Sequence, residues 1–110
     1  MPTLVFRSAA RHDLAEIAAH IARGSGDRET GRRFARRLDD HCRRLARLPG
    51  LLGRPRPEFG HGYRTSAHEG HLIVFRYADL EGPRSHLIVI RILDGRRDLG
   101  AVFSEPETDL

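Results

Sequence analysis

Five arginines in the second half of the chain, Arg64, Arg76, Arg91, Arg96 and Arg97, fall on or just after segments that read as extended. A guanidinium is planar, always charged and able to grip a phosphate or carboxylate through two parallel hydrogen bonds. Such a cluster could clamp a nucleic-acid backbone or an acidic protein segment. Arg76 and Arg91 carry most of that expectation, because a strand interior is a poor place for a charge without a partner. The opposite outcome is internal pairing with Asp79, Asp94 and Asp98. The seven histidines approach one another in sequence only as His12 with His20, His61 with His68, and His68 with His71. None of these has the spacing of a zinc-binding helix or of a structural zinc site, so neither a metal nor any other cofactor is expected. His68, His71 and His86 at strand edges could move a proton and Tyr63 could stack or donate, whereas His41, Cys42 and Tyr77 fall on apolar faces and read as core. No Ser/His/Asp order, glycine-rich phosphate loop or paired-carboxylate spacing is present, and no catalytic residue is assigned.

The elements that must position these groups come from one domain, since 110 residues is the size of a single core. That domain is expected to run over residues 1–110, with the acidic end at 104–110 frayed. All 19 basic residues are arginine, against 15 acids, for a formal charge of +4. This balance favours negatively charged partners, although biased codon usage also yields lysine-free chains. The lone Cys42 excludes an internal disulfide. No apolar run approaches a membrane span, and MPTLVFRSAARHDL lacks the apolar block of a leader. A cytoplasmic protein is therefore expected, with no membrane partner.

Thr3 to Arg7 alternates as a short strand. Ser8 then precedes a helix whose Ala10, Leu14, Ile17, Ala18 and Ile21 form one stripe, and Gly24 and Gly26 end it. Asp27 can cap a second helix reaching about Leu48, with Phe34, Leu38, His41, Cys42, Leu45 and Leu48 on one arc and arginines opposite. The short linker makes the two helices an antiparallel hairpin. LLGRPRPEFGHG reads as a loop. Tyr63–His68, His71–Tyr77 and His86–Leu93 read as three strands of an antiparallel meander. The expected fold is α+β: an N-terminal strand, an antiparallel helical hairpin, then a three-stranded antiparallel meander.

A turn centred on Glu81-Gly82 would pair Arg76 with Leu87 and Leu72 with Arg91. Strict alternation then gives Ile73, Phe75, Tyr77, Ile88, Ile90 and Ile92 to the helices, and leaves Leu72, Val74, Arg76, Leu87, Val89 and Arg91 on the other face. A half-apolar face that also holds arginines suits a surface covered by a partner.

LVFRSAARHDLAEIAAHIA, the central block from RRFARRLDDHC through LPGLLGRPRPE to HLIVFRY, and IVIRILDGRRDL together resemble the ParE branch of the RelE/ParE toxins of bacterial type II toxin-antitoxin modules. The resemblance runs from Leu4 to about Leu99. It implies a toxin that stabilises plasmids by arresting growth, and a cognate antitoxin, ParD-like or another small DNA-binding protein. An apolar, acidic segment of that antitoxin would cover Leu14, Ile17 and Ile21 of the hairpin and Leu72, Val74, Leu87 and Val89 of the sheet. ParE-like members are associated with DNA gyrase inhibition, and RelE-like members with ribosome-dependent mRNA cleavage. Arg64, Arg76 and Arg91 resemble basic positions that the nuclease branch uses around the scissile phosphate. However, Asp94 stands where many members carry His before the closing Gly-Arg-Arg-Asp, the chain has no lysine, and only Phe103 is aromatic after Leu93. An acid beside an RNA phosphate repels it, so gyrase inhibition is the leading expectation and the endonuclease the alternative. A plain nucleic-acid-binding module using the basic face of the second helix ranks last, because that face lacks aromatics for stacking.

Overall fold

The computed structural model describes residues 2–78 and 85–96. Its elements in chain order are β1 (Thr3–Phe6), α1 (Ser8–Ser25), α2 (Arg28–Arg47), β2 (Arg54–Pro55), β3 (Arg64–His68), β4 (His71–Ala78) and β5 (His86–Asp94). The fold is α+β, with the hairpin and the β3–β4–β5 meander that the periodicities predict. The sheet itself is larger and mixed: five strands in the order β1-β5-β4-β3-β2. β1 lies parallel to β5, from Thr3 opposite His86 to Phe6 opposite Val89. β2, a two-residue strand inside the segment read as loop, pairs with β3. The expected turn at Glu81-Gly82 and the expected frayed end lie outside the described residues.

Local chemistry sets the hairpin. α1 begins at Ser8, one residue earlier than the spacing suggests, with Arg7 in the cap position. It ends where Gly26 takes a left-handed conformation and its N–H returns to Ala22 O at 2.9 Å, a conformation glycine adopts without a side-chain penalty. Asp27 caps α2 as expected: its Oδ1 accepts the Glu29 N–H at 3.1 Å and its Oδ2 accepts the Thr30 hydroxyl at 2.7 Å. Near its start α2 crosses α1 at Gly31, which is buried against the Ala18 backbone.

α2 buries Leu38, Cys42, Leu45 and Ala46 against Ile73, Phe75, Leu87, Val89 and Ile92 of the sheet, with Ala10 of α1 in the same core. Leu48, assigned to this arc, is 41% exposed, because the helix has ended there and the backbone is extended. Each fully buried leucine, isoleucine or phenylalanine contributes roughly 1.5–3 kcal/mol of apolar transfer. Burial raises the Cys42 thiol to about 12, so it stays protonated and behaves as a small apolar group.

The expected sheet faces need correction in β5. Val74 pairs with Arg91 but Phe75 pairs with Val89, so Ile90 has no residue opposite it. This bulge reverses the alternation. Leu87 and Val89, expected outside, point at the helices and are fully buried, as is Val74. Ile90, expected inside, joins Val74 and Leu93 in a second buried cluster on the opposite side, with Tyr63 and Ile88 packed against it. The expected register is corrected with it: Arg76 faces Ile88 and Leu72 faces Leu93.

Candidate functional site

Among the described residues, Arg64, Arg76, Arg91 and Arg96 each have different surroundings. Arg91, beside the bulge, curls around the β5 edge beyond the end of β1 and meets Asp13 of α1. Its Nε donates to Oδ2 at 2.7 Å and its Nη2 to Oδ1 at 3.0 Å. The same Oδ2 accepts the Ile92 backbone N–H at 2.9 Å. Asp13 is 9% exposed, so this carboxylate takes over from β1 as the partner of the sheet edge and fastens α1 to it. The pairing holds the Arg91 guanidinium even more firmly charged than usual.

Arg64 supports a loop: its Nε donates to Leu52 O at 2.6 Å and its Nη2 to Gly53 O at 3.1 Å. Arg96 forks onto Asp94 in the open, with its backbone N–H also donating to Asp94 Oδ1 at 2.9 Å. Those donors hold the Asp94 carboxyl down at about 2. Arg97 lies outside the described residues. Arg76 is the exception, half-buried on the side away from the helices and without an ion pair among the described residues. On the same side Arg56 lies over the Phe59 ring at 5.6 Å and its Nε donates to the Thr65 hydroxyl at 3.0 Å. Arg56 also faces Glu58 at 3.7 Å, and Tyr63 and Ile88 pack on the second cluster, so Arg76 is a cation on this face without a counter-ion among the described residues.

Of the residues assigned to antitoxin contact, Leu14, Ile17, Ile21 and Leu72 are half-buried, whereas Val74, Leu87 and Val89 present no surface. An open groove of about 470 Å³ runs between the helices, with Leu14, Ala15, Ala18 and Ala35 supplying apolar walls and Arg32 and Asp39 polar ones. Asp39 Oδ1 lies 3.0 Å from Arg43 Nε but without hydrogen-bond alignment, and that buried atom has no hydrogen-bond partner.

Periodicity missed two features. Asp13 sits on the apolar stripe between Ala10 and Ile17, a polar interruption that could have signalled a buried partner. The other is a histidine stack under α2. The His41 and His68 rings are 4.2 Å apart and nearly parallel, and His41 Nε2 is 2.9 Å from Ser66 Oγ. Glu69 faces His68 at 3.4 Å and is itself held by Arg37 at 2.9 Å. Ser66 and His68 share the helix-facing side with Ile73, so the contact fastens α2 to β3. Burial, then the neighbouring His68 and Arg44, lower the His41 pKa below its usual 6.5. The unfolded chain therefore takes up a proton at His41 before the folded one does, and this contribution to stability is lost as pH falls below about 6.5. The thermal midpoint is expected to drop between pH 7.5 and 5.5, and a His41→Gln variant should show a shallower dependence. Equal slopes would rule out His41 as the source.

Fold and surface define a small, basic α+β protein in which a helical hairpin covers one side of a mixed sheet. No helix of the described residues is long and apolar enough to cross a membrane. The family model for the ParE toxin of the type II toxin-antitoxin system parDE matches residues 4–99, and the chain belongs to that family. None of the curated proteins compared with it matches.

Proposed function

We propose that this ParE-family toxin arrests growth by inhibiting DNA gyrase in the cytoplasm, and that a cognate antitoxin neutralises it by laying an acidic, apolar segment in the groove between α1 and α2. The observation carrying the choice of target is the Asp13–Arg91 pair. A nuclease would need Arg91 aimed at a phosphate, but here its fork is already filled by a carboxylate at 2.7 and 3.0 Å. At the end of the same strand Arg96 is likewise forked onto a carboxylate, that of Asp94. The groove supports the antitoxin reading: Leu14, Ala15, Ala18 and Ala35 give it an apolar strip, and beside the acids Glu29 and Asp39, which face Arg36 and Arg43, Arg32 has no ion pair among the described residues.

Purified toxin is expected to suppress supercoiling by purified gyrase near stoichiometric concentration, and antitoxin added beforehand to restore it. Cells expressing the toxin alone should filament and mount a DNA-damage response. Messages cut at translating ribosomes, with supercoiling untouched, would instead establish the endonuclease.

A further inference from the structure

Three large apolar side chains among the described residues are exposed, and two of them lie three residues apart in one segment. Leu48 and Leu51, 41% and 53% exposed, belong to the LPGLLG segment that follows α2. All other described leucines are buried or half-buried. The segment is built rather than slack. Leu52 packs against the main core and its N–H donates to Tyr77 Oη at 3.1 Å, while Leu52 O and Gly53 O accept from Arg64. Gly53 has φ +79 and fits so closely that a Cβ there would lie 2.7 Å from Thr65 O and 2.8 Å from the Phe75 ring. Two strands, β3 and β4, thus hold this tip from behind while its two leucines face solvent. Arg44 and Arg47 in the last turn of α2, and Arg54 in β2, flank the tip in the chain; all three are exposed and have no ion pair among the described residues.

We propose that this tip is the contact through which the toxin seizes its protein target: Leu48 and Leu51 enter an apolar pocket whose carboxylate rim meets Arg44, Arg47 and Arg54. The inference rests on the reading above, in which the chain acts by binding a target protein. Apolar side chains already held in place lose little freedom on docking, and flanking arginines add charge complementarity to an acidic rim. Leucines give a nucleic-acid base no plane to stack on, and two of them bury too little to hold a bilayer. Arg64 and Tyr77 act as positioning residues for the tip.

The full-length protein should be compared with a Leu48→Ser/Leu51→Ser variant and an Arg44→Glu/Arg47→Glu variant, with Leu51→Ser alone as the milder substitution. The readouts are thermal midpoint, growth arrest, and binding to gyrase, to phosphatidylglycerol vesicles and to duplex DNA. Midpoints should stay within about 2 °C of wild type, since exposed positions contribute little to folding. Growth arrest should be lost and gyrase binding weakened at least about tenfold. Variants that fold and still arrest growth fully would overturn the proposal. Wild-type binding to vesicles or DNA that the leucine variant loses would overturn the assignment to a protein. If wild type arrests growth without touching gyrase while the variants do not, the choice of gyrase fails and the tip stands.

Discussion

Asp13→Ala is expected to cost about 3 kcal/mol of folding stability, the range for removing one partner of a largely buried ion pair. Two losses combine. The Arg91 guanidinium loses both carboxylate hydrogen bonds, and the Ile92 N–H on the β5 edge loses its only acceptor in the described structure. Arg91→Ala should cost about as much, because it leaves the more buried Asp13 carboxylate with only the Ile92 N–H. The double variant should be less than additive, because either single substitution already removes the shared Asp13–Arg91 pair. Urea denaturation of the three variants measures this; an Asp13→Ala protein within about 0.5 kcal/mol of wild type would discard the clamp. Arg91→Ala also tests function, because growth arrest retained at wild-type level would remove Arg91 from target binding.

Gly31→Ala is the second large expected effect, and its sign runs against helix propensity. On an open helix that substitution stabilises by about 1 kcal/mol. At Gly31 the new methyl would collide with the Ala18 carbonyl oxygen and lie 3.1 Å from Ala18 C and 3.3 Å from Ala22 N. These are backbone atoms, so relief requires moving α1 bodily away from α2. A loss of about 2–3 kcal/mol is expected, in the range of overpacked cores. Gly24→Ala is the control: nothing lies within 4 Å of a Cβ there, and it should stabilise by about 0.5–1 kcal/mol. Equal effects at the two glycines would show that the helix crossing is not tight.

Much of the fold was legible because its signals are local. The α1 stripe, the Asp27 cap, the α2 arc and the β3 to β5 segments each need only neighbours in sequence. β2 escaped because two residues with a proline carry no alternation. The β5 faces escaped for a different reason: HLIVIRIL is apolar in both phases, so nothing in its composition marks where the bulge interrupts it. The candidate site was less readable still. Arg91 finds its counter-ion 78 positions away, Arg64 turned out to hold a loop, and the exposure of Leu48 and Leu51 depends on where α2 stops.

The extra residue at Ile90 gives β5 two halves in opposite phase. Substitutions before it are judged by the fit of Leu87 and Val89 beneath the hairpin, and those after it by the fit of Ile92 in the same core, of Leu93 in the second cluster and of Arg91 against Asp13. A relative missing that one position would turn the earlier half inside out while leaving its hydrophobicity profile almost unchanged. Drift in this strand should therefore tolerate exchanges among Ile, Val and Leu but resist any change of length.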